Sequence, residues 1–341
     1  MGKKIIIIIA LLILCMTPGL SHLSIAKGVN SNVESDSSSS SSTCSYYVSL
    51  SGNDRNSGTL DQPFKTITYA VSKLSPGDAL CVRGGDYREN FPGWDYGHID
   101  GIKGTPSSPI IISAYQQETP VLSTFTIKNS EWLVLDGFKI EGYRPLLDNW
   151  KDLPEIIIDD PNVGAIDPDE KWSTREAKVR QKYATYIKLK DDFENSWTSG
   201  VMLKNTHNCV IRNIDISKFT SGIHVAKVSS NNRIQNNSIH HTLNAIFTWG
   251  KSDVTGAENN IISNNHFYQN FNAAIRLLRN AKGNIVENNL VEYSGVSHMG
   301  TKSGSSENVF RNNTLLHAGY YAETMRNPGP SAMDIHSSGP G

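Results

Sequence analysis

The chain has 341 residues, which is enough for a large core in one elongated domain or in two compact ones. Its 32 basic and 33 acidic residues leave a net charge of −1. This balance argues against a nucleic acid as the main partner, because phosphate binding calls for an excess of basic residues.

The N-terminus reads MGKK and continues as an unbroken apolar run from Ile5 to Met16. The run is too short for a comfortable membrane span, but its length is typical of the core of a secretory signal. Ser24 and Ala26 supply small residues for cleavage before residue 27. We therefore predict a signal peptide at residues 1–26 and a protein that is secreted or held at the cell surface, without membrane association after the signal is removed.

The next stretch, residues 27–45, is rich in serine and is predicted to be a solvated flexible linker. Three cysteines remain after signal cleavage. Cys44 and Cys81 lie in the N-terminal module and can pair in an oxidising environment. The odd count leaves Cys209, whose apolar neighbours indicate an inert buried thiol.

The folded part is predicted to span residues 46–341 and to begin with YYVSLSGNDRNSGT. A helical stretch, FKTITYAVSKL, follows and is ended by Pro76 and Gly77. The runs DALCVRGGDYREN and PIIISAYQQETPVL are β-rich and bounded by turn residues, which indicates short strands.

The second half repeats a phrase built around an asparagine pair, as in GNIVENNLVEY. Aligned on their apolar positions, the phrases place one asparagine in a column at intervals in the twenties: Asn213, Asn236, Asn264, Asn288 and Asn312. A period of this length combined with apolar–polar alternation indicates a β-solenoid. The run WLVLDGFKIEG fits the same frame one coil earlier, with Gly137 in the asparagine position.

We expect this asparagine column to form an interior ladder, in which each residue takes a turn conformation and hydrogen-bonds to the next coil. The column is then architectural and carries no chemistry. The N-x-S/T sequons that begin at Asn236 and Asn312 are expected to be poor glycan acceptors, because their amides are buried in such a ladder.

The stretch from Tyr46 to Glu141, which contains PIIISAYQQETPV and LDGFKIEG, resembles the opening of secreted right-handed parallel β-helix proteins. These include pectate lyases, chondroitinase B-like lyases, alginate lyases and archaeal surface proteins of the disaggregatase type. The repeats from Gly200 onward extend the resemblance. It implies an all-β, right-handed parallel β-helix (a β-solenoid) with an N-terminal cap, and an acidic polysaccharide as the partner.

Residues 143–199 interrupt the repeat and are predicted to form an inserted loop or helix region. The insertion contains three of the six tryptophans: Trp150, Trp172 and Trp197. We expect it to lie against one face of the solenoid, where its tryptophans contribute to substrate binding. The protein is expected to be a monomer.

Alternation counted outward from the asparagine column predicts one exposed strand face. The predicted inward residues are Val201, Leu203, Ile223, Val225, Ile246, Thr248, Ile275, Leu277, Met299 and Thr301. One outward column then contains Met202, His224, Phe247, Arg276, Gly300 and Thr324, and the next contains Lys204, Ala226, Trp249, Leu278, Lys302 and Arg326. This strip has no acidic residue, and its cations and rings suit uronate carboxylates and sugar faces. Lys204, His224 and Trp249 are the predicted binding residues.

The simplest chemistry for this strip is β-elimination, in which a base removes the proton next to a uronate carboxylate while a cation or metal stabilises the enolate. The run TKSGSSENVFRNNT resembles the catalytic-lysine coil of chondroitinase B-like lyases. The resemblance implies Lys302 as the base and Arg326, about one repeat later, as a second catalytic cation, with Arg276 as a third catalytic candidate. That family carries acidic calcium ligands just before the lysine, whereas Gly295 and Ser297 stand here, so calcium stays open and no cofactor is assigned.

Two other functions fit the same scaffold. A glycoside hydrolase would use carboxylates on neighbouring coils, and the candidates are Glu287, Glu292, Asp159, Asp160, Asp167 and Asp169. A non-catalytic carbohydrate-binding or adhesion module would need none of these. His240 and His241 mark either a second site or a stacked polar corner.

Overall fold

The computed structural model describes residues 43–88, 97–142, 197–226, 228–249, 256–317 and 331–335. Within these residues the chain forms one short helix and 25 strands arranged in three sheets. Neighbouring strands within each sheet pair in parallel, because successive coils of the chain run in the same direction.

Each full coil adds one strand to each sheet. Sheet A contains β1 (Tyr46–Val48), β2 (Ala79–Val82), β5 (Ile110–Ala114), β8 (Leu133–Asp136), β11 (Val210–Arg212), β14 (Arg233–Gln235), β17 (Ile261–Ser263), β20 (Ile285–Glu287) and β23 (Val309–Arg311). Sheet B contains β3 (Gly85–Asp86), β6 (Pro120–Leu122), β9 (Lys139–Glu141), β12 (Asp215–Ser217), β15 (Ser238–His240), β18 (His266–Tyr268), β21 (Leu290–Glu292) and β24 (Thr314–Leu316). Sheet C contains β4 (His98–Asp100), β7 (Phe125–Lys128), β10 (Ser199–Lys204), β13 (Ser221–Ala226), β16 (Asn244–Trp249), β19 (Ala273–Leu277), β22 (Ser297–Thr301) and β25 (Ser331–Ile335).

The architecture is a right-handed parallel β-helix. The repeat predicted the solenoid, and the family resemblance implied that it is a right-handed parallel β-helix. Its core is a stack of aliphatic columns, one from each sheet. In sheet A the fully buried column runs through Ile211, Ile234, Ile262 and Val286. In sheet B it runs through Ile216, Ile239, Phe267 and Val291. Each residue sits on its counterpart about 4.8 Å away, so the core continues from coil to coil without a break.

The asparagine ladder exists, but it is built by the neighbours of the predicted column. The predicted residues are exposed and have positive φ angles: Asn213 (54°), Asn236 (58°), Asn264 (57°), Asn288 (55°) and Asn312 (53°). The interior ladder is formed by the second asparagine of the pair: Asn237, Asn265, Asn289 and Asn313. A parallel ladder precedes sheet A and consists of Asn232, Asn260, Asn284 and Asn308. The two asparagines of a pair therefore have different tasks, the first making the turn and the second bonding the coils together.

This result also corrects the expectation for the sequons. Asn236 and Asn312 are exposed at the corner of the solenoid. The burial argument against glycan attachment is therefore wrong, because it was made for the residue that does not enter the interior.

The N-terminal module contains the short helix α1 (Ile67–Val71), which lies within the predicted helical stretch. Thr66 caps the helix by accepting a hydrogen bond from the Tyr69 N–H at 3.2 Å. Ile67, Ala70 and Val71 are its buried residues, so the helix covers core at the first coils of the solenoid.

The two cysteines of this module form the disulfide Cys44–Cys81, with Cα atoms 5.7 Å apart. Cys209 is buried, and burial raises the pKa of its thiol to about 11, as expected for an inert group. The disulfide joins the segment before β1 to β2 across 37 residues of sequence.

Removing this disulfide with the double substitution Cys44→Ser and Cys81→Ser should lower the free energy of unfolding by about 4 kcal/mol, the entropic value for a loop of this length. Thermal unfolding followed by circular dichroism measures the effect. Reductant should lower the melting temperature of the wild type and leave the double variant unchanged. A reductant effect of equal size in both proteins would contradict the assignment.

The last described coil departs from the predicted register. Met333 of β25 pairs with Met299, and Asp334 pairs with Gly300, so equivalent positions lie farther apart in sequence here than in the asparagine repeats. The prediction that Thr324 follows Gly300 and that Arg326 follows Lys302 in the outward columns is therefore wrong. The repeat spacing does not extend past β24, because a longer stretch of chain connects β24 to β25.

Candidate functional site

The outer face of sheet C is where the sequence placed the site, and the strand register confirms its columns as far as Gly300. One outward column runs through Met202, His224, Phe247, Arg276 and Gly300. The next aligns Lys204, Ala226 and Trp249. The predicted inward residues from Val201 to Met299 are buried, and Thr301 is partly buried. Neighbouring side chains of one column are thus about 4.8 Å apart.

Small residues near the start of these strands let sheet C approach the core closely. A Cβ atom added at Gly200 would clash with Ile216, and one added at Gly222 would clash with Ile239. Only glycine fits at these two positions, and the following residues of β10 and β13 are thereby held in register. This close packing fixes the positions of the strands that carry the outward columns of the site.

Four aromatic side chains meet on the outer face of sheet C. The ring of Trp197 lies 5.3 Å from Phe247 and 6.3 Å from His224, in edge-on geometry. Phe247 in turn stacks on Trp249 at 5.6 Å. Trp197 and Trp249 are 48% and 42% exposed, whereas Phe247 is buried between them. We call Trp197, Phe247 and Trp249 the aromatic platform.

Two arginines border the platform. The guanidinium of Arg279 lies over the ring of Trp249, 3.8 Å from its centroid. Arg276 donates a hydrogen bond to Asn272 Oδ1 at 3.3 Å, and Asn272 donates to Asn244 Oδ1 at 2.8 Å. Asparagines on neighbouring coils therefore help to orient a cation beside the platform.

His224 lies at the base of this cluster. It is 8% exposed, and among the described residues neither ring nitrogen has a hydrogen-bond partner. Burial lowers the pKa of its imidazole to about 4. His224 is therefore neutral at neutral pH and has a free lone pair on one nitrogen.

The remaining predicted site residues have different outcomes. Lys302 directly follows β22, is partly buried, and donates its backbone N–H to Leu277 O at 3.1 Å. Lys204 ends β10 in the same column as Trp249. Trp150, Trp172 and Arg326 lie outside the described residues, so their place in the site remains a prediction. Asp334 of β25 pairs with Gly300, the place for which Thr324 was predicted.

The two described carboxylates among the hydrolysis candidates lie on sheets A and B, and each contacts a basic side chain. Glu287 in sheet A pairs with Arg311 at 2.6 Å, and Glu292 in sheet B pairs with His266 at 2.7 Å. The four aspartates of the insertion lie outside the described residues. The two described glutamates therefore do not face each other across one groove.

The histidine corner of sheet B fits a stacked polar arrangement. His240 contacts His241, hydrogen-bonds to Asp215 at 3.0 Å, and stacks on Tyr268 at 4.6 Å. His317 stacks in the same way on Tyr293, at 4.7 Å. These contacts connect neighbouring coils along one edge.

The residues before Lys302 do not fit a calcium site. Gly295 and Ser297 offer no carboxylate, whereas calcium is bound by several oxygen ligands that usually include Asp or Glu. In the part of the chain that the structure describes, no three His, Cys, Asp or Glu side chains converge in a way that suits a metal.

Sequence reasoning missed Arg279, Asn272 and Asn244. Arg279 has a positive φ in the turn after β19, where strand alternation gives no direction for a side chain. The chain between Trp249 and Arg279 contains the extra loop of the longest repeat. Counting repeat positions therefore did not show that these two residues lie on neighbouring coils. Asn272 directly precedes β19, where strand alternation likewise gives no direction for a side chain.

Two family models match the chain. A Pel9A-like right-handed β-helix region matches residues 46–151, and a right-handed β-helix region matches residues 199–331. The chain therefore consists in large part of right-handed β-helix regions, the first of which is Pel9A-like.

Similar curated proteins match parts of the chain. It is 35% identical over 86 residues to the uncharacterized protein YwoF of Bacillus subtilis, covering 25% of this chain and 17% of that protein. It is 30% identical over 138 residues to lacto-N-biosidase of Bifidobacterium longum (38% and 8% covered). It is 34% identical over 77 residues to pectate lyase PEL9 of Emericella nidulans (22% and 17% covered). The chain thus matches less than a fifth of the length of each of these relatives.

Among solved structures, the GH136 lacto-N-biosidase from Eubacterium ramulus superposes with a TM-score of 0.50 at 14% identity, covering 80% of this chain and 56% of that one. This likeness concerns the fold alone. Within the described residues, no helix is long and apolar enough to cross a membrane.

Proposed function

We propose that this protein binds a uronate-containing polysaccharide on the outer face of sheet C and cleaves it by β-elimination. The observation that carries the proposal is the pair of half-exposed tryptophans, Trp197 and Trp249, beside Arg276 and Arg279 on the outer face of sheet C. Exposed rings on a rigid sheet offer apolar planes for sugar faces, and the cations offer partners for carboxylates. The pectate lyase relative supports the same substrate class.

The chemistry needs a positive charge near the uronate carboxylate, because negative charge builds up there when the neighbouring carbon loses its proton. Arg276 on β19 is the cation that we assign to this role, and Lys302 follows on the next coil. A lysine or water must also protonate the oxygen of the sugar that leaves.

We propose that the site is extracellular or at the cell surface, with residues 1–26 acting as the signal and 27–45 as the linker. The apolar run from Ile5 to Met16 supports export. The disulfide Cys44–Cys81 supports it independently, because disulfides persist in oxidising compartments.

A glycoside hydrolase on the same scaffold is the second candidate. It is favoured by the match to lacto-N-biosidase, which spans 38% of this chain. A binding module without catalysis is the third, and the aromatic platform would serve it equally well.

Incubation of the purified full chain with polygalacturonate, alginate, chondroitin and hyaluronan separates the three. Ultraviolet absorbance detects the unsaturated uronate left by elimination, and a reducing-sugar assay counts every cut. A rise in both signals on an acidic polymer is the expected result. New reducing ends without ultraviolet absorbance would show that the protein is a hydrolase and not a lyase. Binding of the polymer without either signal would show that it is a binding module.

Trp249→Ala should weaken binding of the polymer by about tenfold, since loss of a stacking partner costs roughly 1–2 kcal/mol. Affinity electrophoresis in gels containing the polymer measures the change. Trp132→Ala is the matched control, because Trp132 lines a groove on the outer face of sheet A. Equal weakening by both substitutions would place the binding surface elsewhere.

A further inference from the structure

His224 is a buried polar side chain whose ring nitrogens hydrogen-bond to none of the described residues. It is 8% exposed, and both ring nitrogens lack partners among the described residues. Buried polar groups in native proteins are nearly always paired, and an exception calls for a functional explanation such as a ligand. The Ser221 hydroxyl, three residues earlier on the same strand, is also buried without a partner among the described residues.

The surroundings of His224 combine aromatic rings with a cation. Phe247 occupies the next position of the column, and Arg276 occupies the one after it. His224 and Arg276 are thus on strands about 10 Å apart, with an aromatic ring between them. A sugar ring placed over Phe247 would have the imidazole on one side and the guanidinium on the other. Trp197 contacts both His224 and Phe247 edge-on and must rotate for a sugar to take this place.

We propose that His224 is the base of the elimination, with Arg276 binding the uronate carboxylate and Lys302 protonating the leaving oxygen. This assignment rests on the proposed function and deepens it. It moves the role of base from Lys302, which the family resemblance implied, to a residue on the opposite side of Phe247.

The step balances in atoms and electrons without any co-reactant besides the proton donor. A ring nitrogen of His224 takes the proton from C5 of the uronate, and the electrons of that C–H bond form the C4–C5 double bond. The bond from C4 to the glycosidic oxygen breaks, and the oxygen leaves with the bonding electrons. Lys302 gives this oxygen a proton. The imidazolium then returns its own proton to solvent, and Lys302 takes one up from solvent.

The protonation state of each group decides its role. A guanidinium keeps its proton at any pH at which proteins fold, so Arg276 is not a base. The imidazole of His224 has a pKa lowered to about 4 by burial, which leaves it unprotonated at neutral pH. Its neighbours in the column, Met202 and Phe247, are uncharged, as is Trp197 above it, so no facing charge opposes the shift. As the pH falls through about 4, the imidazole gains a proton and the base is lost.

The test compares His224→Asn with His98→Asn. His98 is a matched control, because it lies in the same outward column of sheet C, on β4. His224→Asn should lower kcat for the uronate polymer by about 100-fold or more, the usual contribution of a general base. Its affinity for the polymer, measured by tryptophan fluorescence, should change little, and added free imidazole should restore part of the rate. His98→Asn should retain the wild-type rate.

The outcomes separate this assignment from the proposed function. If His224→Asn keeps the wild-type kcat while Lys302→Ala loses it, the base is Lys302 and the assignment is overturned, although the lyase stands. If the wild type forms no unsaturated product on any polymer, the proposed function fails and the assignment fails with it. If His224→Asn does not fold, the wild-type profile of kcat/KM against pH decides. Corrected for titration of the substrate, the profile should lose activity below a pH near 4, and an unchanged rate through that range would overturn the assignment.

Discussion

Asn265→Ala should lower the free energy of unfolding by about 3–4 kcal/mol, whereas Asn264→Gly should leave it nearly unchanged. The Asn265 amide donates to Ile234 O at 2.9 Å and to Asn289 Oδ1 at 3.0 Å. Its Oδ1 accepts from the backbone N–H and the side chain of Asn237, both at 3.0 Å. Alanine removes all four bonds and leaves buried partners unsatisfied on both neighbouring coils.

Asn264 is the matched control because it is adjacent in sequence but exposed, with a φ of 57°. Glycine adopts a positive φ without steric cost, so the turn is preserved. Urea unfolding measures the free energy of unfolding of both variants, provided that the dependence of this free energy on urea concentration has the same slope in each. Similar losses of stability for Asn264→Gly and Asn265→Ala would show that the two asparagines share one task and would contradict the ladder assignment.

Arg276→Met should lower kcat on a uronate polymer by about 100-fold, the scale of losing one group that stabilises developing negative charge. The guanidinium lies beside the aromatic platform and hydrogen-bonds to Asn272. Because the charge develops mainly in the transition state, KM should change less than kcat. Arg276→Lys keeps the charge without the planar fork and should recover part of the loss.

Arg233→Met is the control for this measurement. Arg233 is an exposed arginine on a strand of sheet A. Like Arg276 it is a strand arginine, but it does not lie on the outer face of sheet C. It should retain the wild-type kcat. Loss of activity in both variants, or in neither, would remove Arg276 from the proposed chemistry.

The fold could be predicted from the sequence because each sequence repeat corresponds to one coil of the solenoid. Repeat intervals in the twenties with apolar alternation determine which residues stack, and the columns through Ile211 and Ile216 follow directly. The interior ladder was placed one position away because both members of each pair are asparagine. Alternation stops at a turn, so the pattern does not say which amide enters the core.

The site could be predicted in part for the same reason. Alternation places His224, Phe247 and Arg276 in one outward column, and the register agrees. It does not place Arg279, whose approach to Trp249 depends on a turn. It also fails beyond β24, where the chain takes a longer path than the repeat before it returns to the same position at Met333. The unpartnered state of His224 is a property of packing in three dimensions and leaves no mark on the sequence.

The central claim is that the outer face of sheet C cleaves a uronate polymer by elimination. Mass spectrometry of the oligosaccharides released by the purified wild-type protein tests it most directly, with Arg276→Met as the inactive comparison. Elimination predicts products that are each lighter by one water molecule than the corresponding hydrolysis products and that carry a C4–C5 double bond. Saturated products with the mass of hydrolysis fragments, or intact polymer after incubation of every acidic substrate, would contradict the claim.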